Sequence, residues 1–132
     1  MESVPKTCDW VKVRHECSLD QMFILLSEVI DSDVKSMESR TKDVIALGKP
    51  AEKKLVVSRK WDIGGMMTSE AIVFEQTRDG ISVKDARTEK HLFIAKPTVN
   101  QVGECKLEVD DQALELWQVS RKALEGLFFP AK

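Results

Sequence analysis

Hydrophobic and polar positions alternate with two different periods along this chain, and the change from one to the other is clearest towards its C-terminal end. Over residues 104–109, Cys105, Leu107 and Val109 alternate with Glu104, Lys106 and Glu108, the period-2 pattern of a strand with one buried face. Asp110 and Asp111 follow as candidate caps, because an aspartate before a helix can accept from its free amides. A stripe through Ala113, Leu114, Trp117, Leu124 and Phe128 then advances by three or four and predicts a closing helix.

The same reading applied from the start of the chain predicts a loose lead over residues 1–8. Val11, Val13, His15 and Cys17 alternate with Lys12, Arg14 and Glu16, which predicts a first strand over residues 10–17. Ser18-Leu19-Asp20-Gln21 is a capping box, with Cys17 and Met22 placed as its hydrophobic staple. The helix that it opens carries Phe23, Leu26, Ile30, Val34 and Met37 on one side and extends as far as Leu47, with Gly48 as its stop. Asp31-Ser32-Asp33 competes for backbone hydrogen bonds, so the segment reads as one long helix or two short ones. Leu55, Val56 and Val57 mark a strand, Gly64-Gly65 a connection, and Arg78-Asp79-Gly80 a tight hairpin turn between strands at residues 71–77 and 81–85. Leu92-Phe93-Ile94 continues the sheet up to Pro97, where the missing amide hydrogen predicts its end.

Consecutive strands on short turns imply an antiparallel sheet, and two amphipathic stripes need an apolar surface to lie on. The predicted fold is therefore α+β: a mostly antiparallel sheet of five to six strands, one long or two short helices after the first strand, and a C-terminal helix packed on the sheet. The element order is similar to the helix-grip arrangement, in which a curved sheet wraps a C-terminal helix around a ligand cavity. That likeness implies a cavity-containing ligand carrier or enzyme; in a cavity between the curved sheet and the terminal helix, His91, Arg59 or Glu75 would be the convergent polar groups.

Composition narrows the picture. At 132 residues, 42% hydrophobic and 32% charged, the chain fits a single domain, residues 1–132, that buries one core. A formal net charge of −2 supplies no field to gather phosphate backbones or anionic lipid, so neither nucleic acid nor membrane is an expected partner. The longest apolar run, residues 22–26, is far below a membrane span. Three cysteines, Cys8, Cys17 and Cys105, make an odd number without a secretory signal. That parity predicts free thiols and a cytoplasmic protein.

Candidate chemistry is thin. Cys8, His15 and Cys17, with His91 or Cys105 as a fourth ligand, have poor spacing for a zinc site, and a buried strand face explains them as well. Cys17 or Cys105 with His91 is the available thiol–base pairing, but Cys105 alternates with core residues. Asp31 with Asp33, and Asp110 with Asp111, are the carboxylate pairs, and helix capping accounts for aspartates in such places. Gly64-Gly65 lacks the lysine and serine of a phosphate loop. No catalytic residue, metal or cofactor is predicted.

What remains is a surface. Trp61, Ile63, Met66 and Met67 flank the glycine pair, and soft, adaptable side chains on a loop suit a partner surface. Trp10 is the other tryptophan near a predicted strand end. The expected function is a small, soluble, non-enzymatic binding or adaptor module for a protein partner or a small apolar ligand. A homodimer through an exposed sheet face is a further expectation, since Val56 with Val57 and residues 92–94 place apolar side chains on both faces.

Overall fold

The computed structural model describes residues 8–130; most of the expected loose lead therefore lies outside the described residues. The elements run α1 (Trp10–Glu16), α2 (Leu19–Glu38), β1 (Val44–Ala51), β2 (Lys54–Ile63), β3 (Met66–Thr77), β4 (Gly80–Asp85), β5 (His91–Val99), β6 (Cys105–Val109), β7 (Gln112–Leu114) and α3 (Leu116–Phe128). All seven strands form one antiparallel meander in sequence order. The α+β class, the antiparallel sheet and the C-terminal helix packed on it agree with the sequence reading, with more strands than the pattern implied.

Three elements differ from expectation, each for a local reason. Residues 10–16 form a helix, not a strand: Asp9 Oδ1 accepts from the Lys12 amide at 3.1 Å, and none of the seven residues is buried. Alternation over so short a segment had no buried face behind it. The second helix runs unbroken through residues 31–33, because Asp31 pairs with Lys35 at 2.9 Å and Asp33 accepts from Ser120 of α3 at 2.6 Å. It stops at Ser39, where Arg40 folds back onto the Ser36 carbonyl at 2.9 Å. The β-branched Val44 and Ile45, expected at the tail of that helix, instead open edge strand β1 opposite Lys60 and Arg59.

Asp110 and Asp111 do not cap α3. Both adopt positive φ, 51° and 66°, as the two central residues of the β6–β7 hairpin that closes at Val109 and Gln112, a backbone that aspartate tolerates better than most side chains. The cap falls to Glu115, whose amide donates to Gln118 Oε1 at 2.8 Å.

Pro97 does not end β5. The Asn100 amide donates to the Glu104 carbonyl, so in the ladder that pairs Pro97 with Leu107 the proline nitrogen points away from β6. On that side β4 has already ended at Gly80, which lies beyond Ile81, the partner of Ala95. The first half of β5 thus pairs with β4 and the second half with β6, which bends the sheet. Close approach at this bend excludes a side chain at Gly80, where a Cβ would lie 2.6 Å from the Ala95 carbonyl oxygen.

Both long helices lie on the concave face. Phe23, Leu26, Ile30 and Val34 of α2, and Val119, Ala123, Leu124 and Leu127 of α3, share one buried cluster with Leu55, Val57, Phe74, Ile81, Val83, Phe93 and Leu107 of the sheet. Two helices thus share the sheet face on which a helix-grip arrangement carries its C-terminal helix.

Candidate functional site

The strand register shows how the β2–β3 hairpin acquires its shape. Pairing with β1 ends at Val44 and Lys60, and pairing with β4 ends at Ile72 and Asp85. The pairs Trp61 with Thr68, Asp62 with Met67 and Ile63 with Met66 continue beyond both neighbours. The glycine connection predicted from sequence is therefore the tip of a projecting two-stranded ribbon. Gly64 and Gly65 make its turn at φ 59° and 87°, with the Gly65 amide donating to Asp62 Oδ1 at 2.9 Å.

At this tip Ile63 is 59% exposed, Met66 74% and Met67 67%. Because paired residues share a face, Trp61, Ile63 and Met66 lie on the concave side and Met67 on the convex side. Residues 66–70 of β3 also form an open edge, since the ladder with β4 begins only at Ile72 and the Ala86 amide reaches only as far back as the Ala71 carbonyl. An edge without a neighbour offers its amides and carbonyls to another chain.

The root of the ribbon is fixed. Arg59 donates to Asp43 Oδ2 from Nε at 2.7 Å and from Nη2 at 2.6 Å, and its Nη1 reaches the Leu127 carbonyl near the end of α3 at 3.3 Å. The guanidinium sits 4.6 Å from the centre of the Trp61 ring, within the range of cation–π attraction. One arginine thus joins α3, the segment before β1 and the first ring of the ribbon. Phe129, exposed just after α3, adds an apolar side chain beyond that junction.

The structure does not bring Trp10 to this surface. Cys8, at the foot of α1, lies against Gly103 in the β5–β6 turn, at the end of the sheet where β3 finishes with Thr77. At about 3.4 Å per residue, β3 alone puts about 35 Å of strand between that end and Met66.

The polar groups proposed for a cavity do not converge either. Arg59 lies on the concave face opposite Glu70, whereas Glu75 opposes Ser82 on the convex face. His91 joins the convex group, with Nε2 3.2 Å from Ser82 Oγ. A serine and a histidine at this distance resemble the start of a nucleophile–base pair. Ser82 sits on an interior strand, paired with β3 on one side and β5 on the other.

The cysteine reading is corrected outright. Cys17 and Cys105 form a disulfide with Cα atoms 5.5 Å apart, and Cys8 alone is a free thiol. The inference from cysteine parity to a reducing compartment loses its premise. Strand periodicity placed Cys105 inward correctly, but its partner was out of sight because Cys17 lay on an element misread as a strand. Among the described residues no group of three metal-ligating side chains assembles, and no helix is long and apolar enough to cross a membrane.

A second concavity lies around the bridge. A cleft of about 850 Å³ runs between α1, α2, β6 and the start of α3. Its apolar wall includes Val13, Leu25, Val29 and Leu114, and Lys106, ion-paired with Glu115, marks its polar side. The sequence carried no sign of it, because the wall is shared by elements far apart in the chain.

The chain matches no known protein family, no curated protein and no solved structure.

Proposed function

We propose that the protein is a small non-enzymatic binding module that presents the tip of the β2–β3 hairpin to a protein partner. The observation that carries this reading is the register itself: the ribbon runs past both neighbouring strands and ends in Ile63, Met66 and Met67, all exposed. Burying a large apolar side chain is worth about 1.5–3 kcal/mol, so three side chains offer a surplus that a stable fold gains little by leaving in water. The open edge of β3 supplies backbone groups for register, and the methionines supply adaptable contact. Arg59 and Trp61 support the reading by fixing the root of the ribbon, which lowers the ordering cost of binding.

The test is the double substitution Met66→Ser with Met67→Ser, both at exposed positions where the fold has little to lose. Each removes about 2 kcal/mol of transferable apolar contact, so affinity for a partner isolated with the wild-type protein is expected to fall by at least about tenfold, with the thermal midpoint unchanged. Full retention of that partner by the variant would refute the proposal.

A further inference from the structure

The Cys17–Cys105 bridge ties the junction between α1 and α2 to the start of β6. The third cysteine is not remote from it. A Cβ built on Gly103 would lie 2.5 Å from Cys8 Sγ, so the free thiol lies close to the backbone of Gly103, two positions before Cys105. Two residues of extended chain span about 7 Å. Cys17, by contrast, lies beyond the far end of α1, about 13 Å from Cys8 at 1.5 Å per helical residue. The two sulfurs of the bridge differ as well: Cys17 is 1% exposed, whereas Cys105 is only partly buried. A thiol arriving from the β5–β6 turn meets Cys105 first.

We propose that Cys8 exchanges into this bridge. The Cys8 thiol gives its proton to solvent, and the thiolate attacks Cys105 Sγ along the axis of the existing bond. A Cys8–Cys105 bond forms as the Cys105–Cys17 bond breaks, and Cys17 leaves as a thiolate that takes up a proton. One disulfide is exchanged for another, so no external oxidant or reductant is consumed. The requirement is a shift of Cys8, which is exposed and precedes the N-cap Asp9.

The consequence falls on the cleft beside the bridge. With Cys17 bonded, the C-terminal end of α1 is tied to β6 at the cleft that Met22 and Leu25 help to line. With Cys8 bonded, the other end of α1 is pinned and Cys17 is released, which opens the cleft where α1 meets α2. The three cysteines form a latch with two positions, and the odd cysteine is its resolving thiol.

Peptide mapping without reduction tests this on the full chain. The protein is held at about pH 8.5, where thiol exchange is favoured, then quenched with acid, alkylated and cut with trypsin. Cleavage after Lys12 and Arg14 separates Cys8 from Cys17. The expected result, in the monomeric fraction, is a peptide pair joined through Cys8 and Cys105 together with alkylated Cys17, growing with time before the quench. A map that stays at Cys17–Cys105 with Cys8 fully alkylated overturns the proposal, and so does a Cys8–Cys17 pair or three alkylated cysteines. Cys17→Ala offers a second test: glutathione disulfide is expected to close Cys8–Cys105 in that variant. Failure to close it in a variant with the wild-type circular dichroism also overturns the proposal.

Discussion

Aspartates show most clearly how one residue type is put to different uses by its surroundings. Asp33 accepts from a buried serine across two helices, Asp43 holds Arg59, and Asp62 closes a hairpin turn. Asp85 accepts from the Arg87 amide at 2.8 Å and the Thr88 amide at 3.1 Å. The Thr88 amide favours the charged form most strongly and, with the Arg87 amide, holds the Asp85 carboxyl below its usual value against the opposing effect of burial. Because the folded pKa is depressed, the contribution to stability is present above the unfolded value and is lost as pH falls through the folded one. Asp85→Ala is therefore expected to destabilise the protein at neutral pH by about 0.5–1 kcal/mol, a small amount because the group is exposed. In urea titrations the gap from wild type should narrow below about pH 4; a gap independent of pH would contradict this origin. A single sequence offers such residues as polar positions, and only their neighbours decide which of them cap, pair or turn.

Among the elements, the junction of β6 and α3 is the most instructive. Its strand and helix were legible from periods of 2 and 3.6, and Cys105, Leu107 and Val109 point inward as predicted. The intervening residues were not legible, because two aspartates before a helix look the same whether they cap it or turn a hairpin in front of it. The structure places both at positive φ. Asp111→Gly should then leave stability unchanged or raise it by up to about 1 kcal/mol, since glycine adopts that backbone without strain. Were Asp111 a cap bonded to the amides of α3, Asp111→Gly would lose that bond, at a cost of a few tenths of a kcal/mol, and would relieve no strain; a net loss of stability in chemical denaturation would contradict the hairpin assignment. The same ambiguity explains the other misread elements. Seven alternating residues before Ser18 were too few to distinguish an exposed helix from a strand. Val44 and Ile45 continued a helical period that Arg40 had already ended.

For the whole molecule, the sheet class and the C-terminal helix followed from pattern because burial forces periodicity on every element that faces the core. The site is different in kind. Trp61, Ile63, Met66 and Met67 were visible as apolar residues around a glycine pair, but their significance depends on where the ladders with β1 and β4 stop, which is a property of three strands at once. The same limit hid the bridge between Cys17 and Cys105, set 88 residues apart, and separated Trp10 from the surface it was grouped with. The sheet face below the ribbon is covered by α2 and α3, whereas Ile63, Met66 and Met67 at the hairpin tip are exposed, and the proposal that the tip binds a partner rests on that contrast.

Site-specific photocrosslinking tests that claim most directly. A photoreactive phenylalanine analogue is placed in turn at Met67 on the hairpin, Ile94 on the convex sheet face and Leu25 in the cleft, and each protein is irradiated with the partner that co-isolates with the wild type. A covalent adduct is expected from Met67 and from neither of the other two positions. Adducts formed from Ile94 or Leu25, with none from Met67, would contradict it.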